Sequence, residues 1–177
     1  MAKVGIFFGT DTGNTRKVAK TIHKHLGDAI ADKPVNIKNA TVEDLQAYDV
    51  LIIGSPTYGE GELPGLDSGT STESWLEFMP NLSGAHFAGK TIALYGLGDQ
   101  VGYADHFVDA MGMIYDAFAD CGAKFTGFTS TEGYDFDKSK AVMDDQFVGL
   151  VLDEDNQKEL SDMRLTDWLK QIESCWA

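Results

Sequence analysis

The 177-residue chain is poor in cysteine, holding only Cys121 and Cys175. The two stand far apart, with no metal-ligand spacing. Each falls late in a helical pattern, so both read as buried or half-buried free thiols. Positive charge is scarce as well, with 14 Lys and Arg against 28 Asp and Glu, a net charge of −14. A chain this acidic is a poor partner for nucleic acid or an anionic membrane and a good one for a basic face. The shortage is uneven. Residues 1–40 carry seven Lys/Arg against three Asp/Glu, a net +4, and the remainder seven against twenty-five, a net −18. That dipole can orient a partner before contact. No apolar run reaches 18 residues, and no signal peptide or lipidation box appears, so the expected location is cytoplasmic, as a monomer. Repeats, linkers and low-complexity tracts are absent too. The length suggests one domain, residues 1–177, with a full core. The 43% hydrophobic and 24% charged content is that of a globular protein.

What the chain does have is Gly9-Thr10-Asp11-Thr12-Gly13-Asn14-Thr15, between an apolar run and a helical pattern. A glycine-rich loop at a strand-to-helix junction aims several backbone N–H groups at one spot, where the helix adds partial positive charge. Hydroxyls of Thr10, Thr12 and Thr15 can also donate. This is an anion site, most often for phosphate. It is neither a Walker A motif nor a G-x-G-x-x-G fingerprint. No Lys or Arg precedes Arg16, so a bound phosphate would rest on dipoles and hydroxyls. An ordinary helix-capping turn is the alternative.

Strands are expected at 3–8, 35–39, 49–54 and 91–95, with two more pieces at 124–126 and 148–152. Helices are expected at about 14–26, 41–47, from Trp75 through Leu82, from Phe107 through Phe118, and at 161–175. The inward stripes are Val18, Ile22 and Leu26; Trp75, Phe78, Met79 and Leu82; Phe107, Ala110, Met111, Ile114 and Phe118; and Leu165, Trp168, Leu169 and Ile172. Residues 127–147 are aromatic and acidic without helical period. Five β-α repeats, the fifth strand interrupted, mean a doubly wound parallel sheet with helices on both faces.

In such a fold ligands bind beyond the carboxyl ends of the strands. Three glycine-rich loops leave those ends, at 9–15, 55–65 and 96–103, and two bring an aromatic ring, Tyr58 and Tyr103. A phosphate site flanked by two rings describes a ligand with a phosphate tail and a flat head. An offset stack adds about 1 kcal/mol per face. Gly96-Leu97-Gly98-Asp99-Gln100-Val101-Gly102 imitates a dinucleotide fingerprint with its third glycine one place late, and reads as a ring-edge loop. Asp153-Glu154-Asp155-Asn156 lacks the glycine and terminal glutamate of a calcium loop and reads as a solvated acidic loop.

Taken together these motifs resemble the flavodoxins of the long-chain type. Thr10 to Thr15 is similar to that family's phosphate loop. Ser55-Pro56-Thr57-Tyr58-Gly59-Glu60-Gly61-Glu62-Leu63-Pro64-Gly65 resembles its first ring loop, in the form common among nitrogen-fixation flavodoxins. Gly96 to Tyr103 resembles its second ring loop, and residues 127–147 its long-chain insertion. The resemblance implies a flavodoxin-like five-stranded parallel sheet in the order 2-1-3-4-5 with an insertion in strand five. It implies non-covalently bound FMN and low-potential one-electron transfer between redox proteins, cycling semiquinone and hydroquinone, with no catalytic residues and no metal. The implied cofactor residues are Thr10, Asp11, Thr12, Gly13, Asn14, Thr15, Ser55, Pro56, Thr57, Tyr58, Gly59, Glu60, Gly61, Leu97, Gly98, Asp99, Tyr103, His106 and Asp155. The isoalloxazine would lie between Tyr58 and Tyr103. Implied partners are basic redox proteins: a flavodoxin or ferredoxin-NADP reductase, a nitrogenase reductase, or a pyruvate-oxidising enzyme.

Two further expectations follow. Glycine at 59 would let the Gly59–Glu60 peptide turn over on the first reduction. Glu60, Glu62, Asp67, Asp99, Asp105, Asp153, Glu154 and Asp155 lie on or beside the loops. Each at ~10 Å would oppose a second negative charge by on the order of 1 kcal/mol before screening. A response regulator would need a phospho-accepting Asp where Gly54-Ser55-Pro56 stands. An FMN-dependent reductase would need a nicotinamide motif and an acid-base pair, and neither is visible.

Overall fold

A computed structural model describes residues 4–10 and 12–177. Its strands are β1 (Val4–Phe8), β2 (Val35–Asn36), β3 (Val50–Pro56), β4 (Thr91–Leu97), β5 (Lys124–Thr126), β6 (Thr129–Ser130), β7 (Val142–Met143), β8 (Gln146–Phe147) and β9 (Gly149–Leu152). Its α-helices are α1 (Asn14–Leu26), α2 (Val42–Gln46), α3 (Trp75–Phe78), α4 (Asp109–Asp120) and α5 (Ser161–Ile172).

The main sheet is parallel in the order β2-β1-β3-β4-β5, and β9 also pairs with β4. β5 lies against Thr91 to Ala93, and β9 continues along the same strand from Leu94 to Leu97. The fifth strand is therefore one edge made of two pieces, as the interrupted pattern implies. Alternate strand residues go to opposite faces. Ile6, Ile52, Ala93 and Leu150 pack with Val18 and Ile22 of α1 and with Leu165, Trp168, Leu169 and Ile172 of α5. Leu51, Ile53, Ile92, Leu94 and Val151 pack with Leu45 of α2, with Trp75 and Phe78 of α3, and with Met111, Ile114 and Phe118 of α4. Each such side chain contributes about 1.5–3 kcal/mol when fully buried.

Several element boundaries differ from the sequence expectation, most for a local reason, and the helix expected to reach residue 175 is α-helical only to Ile172. Strand two stops at Asn36, because the Asn36 side chain accepts from Lys38 N at 3.2 Å and turns 37–39 into a 3₁₀ segment. β3 and β4 run past their glycines to Pro56 and Leu97, since each supplies the other with partners, Ser55 with Gly96 and Pro56 with Leu97. Helix three is α-helical only to Phe78. Pro80 lacks the N–H an α-turn needs, so 79–82 tightens to 3₁₀ and leaves Met79 half-buried. Phe107 is fully buried but precedes α4, which begins after Val108 at φ 49. Lys3, expected in strand one, lies outside the described residues. α1 and the Thr41 cap of α2, completed by Asp44, stand as expected.

Residues 129–147 form a small antiparallel sheet in the order β6-β8-β7. Its β7–β8 turn puts Asp144 and Asp145 at φ 51 and 66. The aromatic content has a packing purpose: Tyr134, Phe136 and Phe147 gather around Phe107, with centroids 5.3–6.0 Å away. Tyr134 Oη donates to Val151 O at 2.7 Å, and Ala104 O accepts from Asp137 N and Lys138 N at 2.8 and 3.0 Å. The excursion thus covers the split fifth strand and grips the segment leading into α4.

α4 approaches this excursion closely at Gly112, where a Cβ would stand 2.3 Å from Lys140 O. In an exposed helix Gly→Ala is favourable by about 1 kcal/mol. Gly112→Ala is expected to destabilise instead, by about 1–3 kcal/mol in urea unfolding, because the backbone it meets must move. A stabilised variant would mean that the contact is loose.

Candidate functional site

The loops after β1, β3, β4 and β9 wall one solvent-open cleft of about 190 Å³. Thr10, Thr12, Asn14 and Thr15 line one part, Pro56, Thr57 and Tyr58 another, Leu97, Gly98, Asp99 and Tyr103 a third, and Glu154 and Asp155 the last.

At the β1 end, Gly13 takes φ 101 and passes the chain into α1. Thr10 Oγ1 accepts from Gly13 N at 3.0 Å. Among the described residues no side chain caps α1, and its first turn holds no acid. The open amides of that turn, with the Thr12, Asn14 and Thr15 side chains, form a donor-rich pole with no cation on the cleft wall among the described residues. The pole is fixed from below. Buried Tyr95 of β4 reaches across β3 and donates its hydroxyl to Thr15 O at 3.0 Å. Only glycine permits the crossing, since a Cβ on Gly54 would stand 1.9 Å from Tyr95 Cζ. Burial pushes the Tyr95 phenol far up, so it stays a donor. The Gly54 carbonyl accepts from Gly9 N and from Trp75 Nε1, both at 3.0 Å.

In the β3 loop, Tyr58 and Glu62 exchange backbone hydrogen bonds of 2.8 and 2.6 Å around residues 59–61. Gly59 sits at φ 49 at the exposed tip. The base rests on α4: Thr57 Oγ1 accepts from Ala110 N at 3.1 Å. Gly61 is pressed against Asp109, whose Oδ2 would be 2.5 Å from an added Cβ. Asp109 is itself buried, accepts from Lys140 N at 2.7 Å, and lies 3.3 Å from His106 Nδ1.

The third wall depends on Asp153. Its buried carboxylate accepts from Gln100 N and Nε2, Asp155 N, and Asn156 N and Nδ2, at 2.7–3.1 Å. Gln100 Oε1 in turn accepts from Asp135 N at 2.6 Å, and Asn156 Nδ2 also donates to Asp99 at 2.8 Å. Of the acidic stretch 153–156, Asp153 departs from the solvated loop expected, because its carboxylate is the acceptor around which two loops fold, while Glu154 is half-exposed and Asp155 and Asn156 are exposed. The Gly102 N–H, helped by Asn156 and Val101, holds the Asp99 carboxyl below its ordinary range. Partial burial, then the charges of Asp99 and Asp153, raise that of Asp155.

Of the residues singled out in the sequence, Thr10, Thr12, Asn14, Thr15, Pro56, Thr57, Tyr58, Leu97, Gly98, Asp99, Tyr103 and Asp155 come together on this wall. Asp11 lies outside the described residues. Gly13 forms the base of its loop. Ser55 is buried behind the wall, donating to Pro56 O at 2.8 Å. Gly59, Glu60 and Gly61 form the rim turn, and His106 backs that turn beside Asp109 rather than lining the cleft. Glu154 lines the cleft as well; the sequence marks it as one of the acids beside the loops but not as a cofactor residue, and its place beside Asp155 was the available signal. No cluster of three or more His, Cys, Asp or Glu suited to a metal occurs among the described residues.

The chain matches the Flavodoxin family over residues 6–168. It is 54% identical to a flavodoxin of Klebsiella pneumoniae over 172 residues, covering 97% of each chain. It is 46% identical to a flavodoxin of Synechocystis sp. over 173 residues, covering 97% of this chain and 96% of that one. A flavodoxin of Fusobacterium nucleatum solved with flavin mononucleotide bound superposes with a TM-score of 0.88 at 31% identity, over the full length of both. The sheet order, the cleft and these likenesses agree: this chain belongs to the flavodoxin family.

A depressed carboxyl stabilises the folded loop above the ordinary carboxylate range, and that stability is lost as pH falls through the lowered value. The Val101 and Gly102 amide resonances, which report the bonds to Asp99 Oδ1 at 3.0 and 2.7 Å, are expected to titrate below the range of a free aspartate. A midpoint at or above that range would contradict the geometry.

Proposed function

We propose that this flavodoxin-family chain carries single electrons between redox proteins on non-covalently bound FMN, and that it is not itself an enzyme. The observation that carries the reading is one cleft with a hydroxyl- and amide-lined helix N-terminus at one end and Tyr58 and Tyr103 at the other. The fit is chemical. A phosphate needs donors and no nearby carboxylate, and the α1 pole offers four side-chain donors with no acid in the helix's first turn. A flat ring needs apolar walls, and Pro56, Leu97 and the two tyrosines supply them. FMN supplies the electron chemistry that these side chains lack.

The protein's part is to hold, orient and shield. Thr10, Thr12, Asn14 and Thr15 grip the tail. Tyr103, 52% exposed, is free to close on one ring face. The Gly59–Glu60 peptide is the segment able to turn, since it sits at a rim tip closed off by the Tyr58–Glu62 bonds. Glu60, Glu62, Asp67, Asp105 and Asp155 stand exposed, and Asp99 and Glu154 half-exposed, around this end. They oppose added negative charge at the ring and attract a basic partner. Asp153, fully buried, offers no surface to a partner, though its charge opposes added negative charge as the others do.

Residues 1–177 act as one domain, with 127–147 as the insertion of a long-chain flavodoxin of the nitrogen-fixation kind. The half-buried, unpaired Cys121 and Cys175 suit a cytoplasmic carrier. It acts as a monomer. Its candidate partners are a flavodoxin or ferredoxin-NADP reductase, a nitrogenase reductase and a pyruvate-oxidising enzyme.

The purified chain is expected to show a flavin visible spectrum. NADPH alone should reduce it slowly in stopped flow, and a catalytic amount of reductase should make reduction fast. Rapid direct reduction would make it an enzyme instead. Gly59→Val, which meets both the φ of 49 and Glu62 Oε1 at 2.8 Å, is expected to lower the first one-electron potential. A cost of about 1 kcal/mol corresponds to on the order of 40 mV. An unchanged potential would remove the turning peptide from the account.

A further inference from the structure

Away from the cleft, on the outer flank of α1, lies a second cavity of about 310 Å³, open to solvent. Its walls are Phe8, Arg16, Lys20, His23, Lys33 and Pro34. Arg16, Lys20 and His23 repeat at i, i+4 and i+7, so one stripe of α1 faces the turn that carries Lys33 and Pro34 into β2. Phe8 ends β1 and lies at the base of the cavity, but it is only 3% exposed, so the accessible apolar wall comes mainly from Pro34 and the methylene stems of the basic side chains.

Three features make this more than a basic surface. First, the charges are uncompensated. Among the described residues no carboxylate lies within ion-pair distance of Arg16, Lys20 or Lys33, whereas His23 is engaged by Asp28 at 2.9 Å. Second, the Arg16 guanidinium lies 5.4 Å from the Phe8 ring centroid, so it is already oriented by the wall and leaves N–H groups for a ligand. Third, the sign is opposite to that of the molecule, whose net charge is −14. A nucleic acid, membrane or acidic protein would meet that net charge as it docked. A small anion inside the cavity meets the local cations and is largely screened from the rest.

We propose that this cavity is a binding site for a small organic phosphate whose phosphate is carried on a flat apolar group, such as an aryl or nucleoside monophosphate. The three cations match a dianion better than a single carboxylate, and half-buried Pro34 with the Lys20 and Lys33 stems receives the apolar part. The site is separate from the cofactor cleft, whose wall stops at Thr15, and it does not depend on the electron-carrier reading.

The test uses the full chain loaded with one equivalent of FMN and freed of unbound FMN, so that the cleft is filled and the cavity is not, and follows backbone amide shifts by NMR. Phenyl phosphate is expected to shift amides of residues 16–23 and 33–35 saturably. Adenosine 5′-monophosphate should shift the same set. Inorganic phosphate, without the ring, and benzyl alcohol, without the charge, should each bind about tenfold more weakly or not at all. Lys20→Gln together with Lys33→Gln should weaken phenyl phosphate by about tenfold or more, and exposed Lys38→Gln, outside the cavity, by less than about twofold. The proposal is overturned if phenyl phosphate produces no saturable shift up to about 10 mM, or if inorganic phosphate binds equally well. It is also overturned if Lys38→Gln weakens binding as much as the double substitution, which would mean diffuse attraction only.

Discussion

The hydrogen bond from Tyr95 to the Thr15 carbonyl is the contact on which the cleft depends. It ties the first turn of α1 to the centre of the sheet, two strands away from where Tyr95 begins. Because no side chain among the described residues caps that turn, its amides remain directed at the cleft. The crossing is possible only because β3 carries glycine at 54, and the carbonyl of that glycine also receives Gly9 and Trp75. One residue without a side chain therefore sets the first loop, α1 and α3 relative to one another.

The other walls are built on the same plan, with a buried acceptor gathering several loop donors. Asp153 does this for the 99–103 and 153–157 loops, and Asp109 accepts from Lys140 N of the 129–147 excursion while Gly61 of the 57–62 turn packs against it. Neither carboxylate lines the cleft. An unpaired buried charge costs several kcal/mol, so each is stable only while its donors stay in place. The loops are thus rigid at their roots, while Gly59 and Tyr103 at the tips remain exposed. The excursion belongs to this scaffold too, since its backbone donates to Gln100, Ala104 and Asp109.

The sequence made the sheet legible because both faces are covered and the strands are continuous apolar runs, as in Val50 to Ile53. α1 and α5 were legible from period alone. The three loops could be read because glycine and hydroxyl residues cluster where strands end. What escaped was non-local. Nothing in the spacing of Asp153 says that Gln100 and Asn156 will converge on it, so it read as solvated. His106 followed the right loop in sequence but turned toward Asp109. The 3₁₀ turns at 37–39 and 79–82 depended on one side-chain acceptor and one proline, which a periodic pattern overrides.

The central claim is that a phosphate tail is held by α1 dipoles and hydroxyls, with no cation on the cleft wall. It is tested most directly by comparing FMN with riboflavin in a fluorescence-quenching titration of the cofactor-free protein. The account predicts one-to-one binding of FMN and a loss of about hundredfold or more for riboflavin, or about 2.7 kcal/mol. Equal affinity for the two, or no binding of FMN, would contradict it.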